Sequence, residues 1–73
     1  MEASDLSNRF TYHAPFGSQP QKYENIRKNL LWVAGLINDM CPESREKSLA
    51  ITHLEEVGFW ANASIARHEK NDA

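Results

Sequence analysis

The sequence predicts an all-α fold: an antiparallel two-helix hairpin with an extended N-terminal segment, assembled as a homo-oligomer. Three observations point there. Apolar residues recur every three or four positions through two long stretches, the spacing of one face of a helix. Cys41-Pro42-Glu43-Ser44 separates them, because Pro42 cannot continue a helix arriving from its N-terminal side but suits the first turn of a new one, where Ser44, Glu43 and Glu46 supply capping and dipole-compatible charge. The apolar residues of the second stretch also spread too far around the helix for a single partner to cover.

Residues 1–8 are polar and without period, and are expected to be a mobile tail. From residue 9 to about 19, Phe10, Tyr12 and Phe16 punctuate a segment that also holds Pro15 and Gly17. It is too aromatic for a linker and too broken for a helix, so it should lie extended and docked. Ser18-Gln19-Pro20-Gln21 reads as a capping box with Ser18 as N-cap. The first helix then runs over about 19–40, with a seam of Tyr23, Ile26, Leu30, Val33, Ile37 and Met40. Leu31, Trp32, Ala34 and Leu36 lie off that seam. The second helix covers about 43–69, with Leu54, Val57, Ala61 and Ile65 towards the first and Leu49, Ile51, Phe59 and Trp60 around the rest. Residues 70–73 form a short tail.

A chain of 73 residues makes one domain with a marginal core. Its single cysteine excludes an internal disulfide, and no paired Cys/His spacing suggests structural zinc. Self-association is the support that remains. No apolar run approaches 18 residues, which predicts a cytoplasmic protein with no membrane partner. The net charge of −2 argues against DNA or RNA polymers as partners, since their binders carry an extensive basic face. A few local cations can still neutralise a small phosphate ligand. No catalytic set assembles: His53 and Glu56 are polar neighbours on one helix, and there is no Gly-rich phosphate loop or nucleophile–base pairing. Binding without turnover and without a cofactor or metal is expected.

Candidate binding residues fall in four places. Tyr12, beside His13, offers an aromatic face on which a base can stack; docking of the rings on the helices explains them as well. Arg27 and Lys28 follow early in the first helix, where a Glu24–Arg27 pair is the plainer account. Arg45 and Lys47 flank Glu46 at the start of the second helix, whose free N–H groups suit an anion; ion pairing between subunits explains them as well. Arg67, with Asn62 a little over one turn earlier, could reach a phosphate or base edge, or merely complement the helix dipole.

Three stretches, Arg9-Phe10-Thr11-Tyr12-His13-Ala14-Pro15, Cys41 to Ala50, and Trp60-Ala61-Asn62-Ala63-Ser64-Ile65-Ala66-Arg67, together resemble the hairpin domain of phage anti-CBASS and anti-Thoeris signal sponges, over roughly residues 9–69. The resemblance implies a host-cytoplasmic protein that sequesters cyclic oligonucleotide messengers, cyclic dinucleotides such as cGAMP first and cyclic trinucleotides next, without degrading them. Cyclic ADP-ribose isomers would be the ligands of the anti-Thoeris branch. It also implies a hexamer, a dinucleotide site at Tyr12 and Lys28 with Arg27 as the substitute, and a trinucleotide site formed by several subunits at Arg67; His13 and Arg45 are added to the first and Asn62 to the second as the candidates read from the residues above. The competing reading is a small oligomeric interaction module that inhibits a host protein through the apolar flank of Trp32 and Trp60.

Overall fold

A computed structural model describes residues 1–70, so residues 71–73 of the expected C-terminal tail lie outside the described residues. The described chain is all-helical: α1 Ala3–Phe10, α2 Gln19–Met40 and α3 Arg45–His68. None of these helices is long and apolar enough to cross a membrane.

Helix α1 stands where the sequence pattern suggested a mobile tail, and it takes Arg9 and Phe10 out of the expected extended segment. Two turns are too short to display a helical period. Asp5 in its first turn and Arg9 in its last suit the helix dipole. A long-range contact also holds it: the Asn8 side-chain amide donates to the Arg67 carbonyl at 3.1 Å.

Helix α2 begins and ends where the sequence placed it, but not for the expected reason at its start. Ser18 makes no side-chain capping bond. Gly17 turns the chain with φ +55°, in the left-handed region that favours glycine, and Gln19 does the joining. Its Oε1 accepts from the Phe16 amide at 3.1 Å, and its Nε2 donates to the Ile65 carbonyl at a long 3.5 Å. Gln19 is only 2% exposed. At the turn, Ser44 caps α3 as expected, its hydroxyl accepting from the Lys47 amide at 3.1 Å. The Lys47 ammonium donates to the Asn38 carbonyl at 3.0 Å, and so ties the start of α3 to the end of α2.

Contacts between α2 and α3 run in a consistent order. Lys47 meets Asn38, Gly58 faces Leu30, and Lys22 pairs with Glu69, so the α3 position rises as the α2 position falls. The α2 seam of Tyr23, Ile26, Leu30, Val33 and Ile37 is half-buried, while Met40 at its end is exposed. On α3 the facing set is Ile51, Leu54, Gly58, Ala61 and Ile65. Val57, expected in that set, is 52% exposed. Gly58 replaces it because Leu30 of α2 packs tightly there: a Cβ at this position would stand 3.0 Å from Leu30 Cδ1.

The result is a thin molecule, 45 × 30 × 13 Å. Among the described residues no hydrophobic side chain is buried; Gln19 is, at 2% exposed, and Lys47 nearly so, at 9%. Leu31, Trp32, Val57, Phe59 and Trp60 all face outward.

Candidate functional site

Where the segment after α1 crosses the start of α2 and the last turns of α3, it leaves a cleft of about 410 Å³ lined by Arg9, Thr11, Tyr12, His13, Pro15, Tyr23, Asn62, Ala63, Ala66 and Arg67. Each wall has a local cause. Arg9 comes from the last turn of α1. Tyr12 and His13 follow it in non-helical backbone, held there because His13 Nε2 donates to the Asn8 carbonyl at 2.7 Å. Tyr23 is the polar-tipped member of the α2 seam, one turn in from the Gln19 junction. Asn62, Ala63, Ala66 and Arg67 form one face of α3, where two alanines keep the floor open.

The lining has a definite chemical character. Tyr12 is 83% exposed, with its ring free to be covered by a ligand. Arg9 and Arg67 belong to the same lining, and no acidic residue does. A chain of net charge −2 thus brings two arginines and two tyrosines, and no acidic residue, into one lining. That combination suits a small ligand with a flat π-face and phosphates: stacking contributes on the order of 1–3 kcal/mol per base, and arginine grips phosphate bidentately.

Two groups that the sequence assigned to separate sites are therefore brought together: Tyr12 and His13 share one cleft with Asn62 and Arg67. The other candidates lie elsewhere. Arg27 lines an adjoining apolar groove with Ile26, Leu30, Leu54, Gly58 and Phe59, which meets the cleft at Asn62. Lys28 is exposed and pairs with Glu24 at 3.2 Å, so Glu24 turns to Lys28 rather than to Arg27. Lys28 follows Tyr23 by five positions, about 140° further around α2 at 3.6 residues per turn, and points away from the cleft. Arg45 opens α3 about 30 Å along the helix from Ala66, at 1.5 Å per residue.

Sequence reasoning gave no role to Arg9 and placed Tyr23 only in the seam. A tyrosine interrupting an otherwise aliphatic seam was the available signal for the latter, since its hydroxyl needs a polar edge. Just beyond the cleft, Lys22 pairs with Glu69 across α2 and α3. The hydrogen bond from Lys22 holds the Glu69 carboxyl below its ordinary value, with Gln19 adding a smaller push the same way. His53 and Glu56 are 3.3 Å apart on exposed α3 surface. Among the described residues no cluster of three or more metal-ligating side chains forms.

The fold defines a small helical module whose cleft is lined by two arginines and two tyrosines. The family model described as "Acb2/Tad1, hairpin domain" matches residues 2–66, and the chain belongs to that family, the anti-CBASS and anti-Thoeris sponges. The match starts ahead of the stretch that carried the resemblance and takes in all of α1. No curated protein and no solved structure matches the chain.

Proposed function

We propose that this protein is a phage anti-defence sponge that binds cyclic oligonucleotide messengers in the host cytoplasm and withholds them from their CBASS effector without cleaving them. The observation that carries the reading is the juxtaposition of Tyr12 with Arg9 and Arg67 in a cleft without carboxylates. A base stacks on Tyr12 while a guanidinium holds the phosphate beside it. Cyclic dinucleotides such as cGAMP are the first ligands to test, and cyclic trinucleotides the second. A sponge works by mass action, so it must exceed the messenger in concentration and bind it more tightly than the effector does.

The active form in this reading is a homo-oligomer, a hexamer of antiparallel hairpins. Support comes from the lack of any buried hydrophobic residue among those described and from the outward-facing Leu31, Trp32, Phe59 and Trp60. Assembly also gives Arg27, Lys28 and Arg45 a role, because they can reach a ligand on Tyr12 only from neighbouring subunits. Arg67 and Asn62 extend to a trinucleotide where clefts of several subunits converge about an axis.

The exposed Trp32 and Trp60 favour one other reading, a module that inhibits a host protein through this apolar flank. One experiment separates the two from each other and from catalysis. The protein is incubated with cGAMP or a cyclic triadenylate, freed of unbound ligand, denatured, and the released nucleotide identified. Intact release supports the sponge, cleaved product an enzyme, and no uptake of either ligand the interaction module.

A further inference from the structure

Asn8 sits at the meeting point of two helix ends. Its backbone carbonyl is one of the last four of α1, which have no partner within the helix. His13 Nε2 donates to it at 2.7 Å. The Asn8 side-chain amide in turn donates to the carbonyl of Arg67, one of the last four of α3, at 3.1 Å. One residue thus links the non-helical segment that carries Tyr12 to the turn of α3 that carries Arg67. A carbonyl only accepts, so the His13 proton must be on Nε2, and that nitrogen is already committed to the protein rather than to a ligand.

We infer that Asn8 and His13 are positioning residues, a hydrogen-bonded strut that sets the separation of the Tyr12 ring from the Arg67 guanidinium and thereby pre-forms the cleft for a stacked base with a phosphate beside it. This rests on the sequestration reading for the ligand, but the strut itself is a property of the free protein. A pre-formed cleft spares the cost of ordering the segment when ligand binds. His13 acts through Asn8, and its ring makes no contact that the ligand depends on.

The test uses the full chain and three variants. Asn8→Leu removes the amide donor without adding charge and without lowering helix propensity. His13→Leu removes the Nε2 donor. His13→Gln retains an amide donor at nearly the position of Nε2. Two readouts are taken: the rate of chymotryptic cleavage after Tyr12 in the absence of ligand, identified by mass, and calorimetric affinity for cGAMP, with sedimentation confirming an unchanged assembly. Asn8→Leu and His13→Leu should each speed cleavage and weaken binding about tenfold, the equivalent of roughly one charge-free hydrogen bond, while His13→Gln stays within about threefold of the parent. The strut is overturned if Asn8→Leu changes neither readout. It is overturned too if His13→Gln loses affinity as fully as His13→Leu while its cleavage stays at the parental rate, since the ring would then touch the ligand. Should the parent take up no cyclic nucleotide, the sequestration reading fails by itself. Cleavage still decides the strut, accelerated in Asn8→Leu if it exists and unchanged if it does not.

Discussion

Replacing Gln19 should destabilise this protein far more than replacing Ser18, the residue whose sequence context makes it the obvious helix cap. The Gln19 side chain is 2% exposed and accepts the Phe16 amide at 3.1 Å. Truncation to alanine removes that bond, worth about 0.5–1.5 kcal/mol, and leaves its partly buried donor short of an acceptor, about 1 kcal/mol more. Loss of a buried methylene adds about 0.8 kcal/mol. The second bond, to the Ile65 carbonyl at 3.5 Å, is at the limit of useful length and adds little. The total is about 2–3 kcal/mol. For a domain of this size each kcal/mol moves the melting temperature by about 4–8 °C, so Gln19→Ala should lower it by about 10–20 °C. Ser18→Ala, which ordinarily costs about 1 kcal/mol at a true N-cap, should move it by no more than a degree or two, since Ser18 makes no capping bond. Thermal unfolding followed by circular dichroism decides the matter. Both variants must be compared at the same protein concentration, because self-association makes the midpoint concentration-dependent. A Ser18→Ala loss equal to or greater than that of Gln19→Ala would refute the reasoning.

Tyr12→Ala and Arg67→Ala should each weaken cGAMP binding by roughly 1–3 kcal/mol, about 5- to 150-fold, in calorimetry, because both line one cleft; full affinity in Arg67→Ala would separate Arg67 from that ligand. Lys28→Ala should leave stability within about 0.5 kcal/mol, since its pair with Glu24 is exposed, and should lower affinity only in the assembled protein; an effect on isolated protomers would contradict its placement away from the cleft. The Lys22–Glu69 pair should make stability acid-sensitive. Because the Glu69 carboxyl is held below its ordinary 4.5, its contribution is complete above that pH and disappears as pH falls through the lower folded value. The melting-temperature gap between parent and Lys22→Met should therefore close below pH 4.5, and a constant gap down to pH 3 would show the pair to be uncoupled from folding. Trp60 is 66% exposed in the single chain, so Trp60→Ser should reduce the assembly seen by sedimentation at micromolar concentration rather than unfold the helix; an unchanged particle would remove Trp60 from any subunit interface.

What the sequence determined by itself was whatever depends on neighbouring residues. The bounds of α2, the break at Pro42, the cap at Ser44 and the half-buried stripe through Ile26, Leu30, Val33 and Ile37 all follow from local sterics, capping chemistry and helical period. The family was legible for a related reason, since its motifs are runs of adjacent residues. Tertiary structure alone decided which α3 residues meet α2. Val57 and Gly58 are adjacent, and only the close approach of Leu30 selects the glycine, because a missing Cβ counts solely when another helix needs the space. It also decided that residues 3–10 are helical, through the bond from Asn8 to a carbonyl 59 positions away. The same crossing put Tyr12 and Arg67 into the lining of one cleft. Hydrogen bonds such as Asn8 to Arg67 and Gln19 to Ile65, 46 positions apart, leave no periodic trace in the sequence, because their partners are chosen by how the segments cross and not by spacing along the chain.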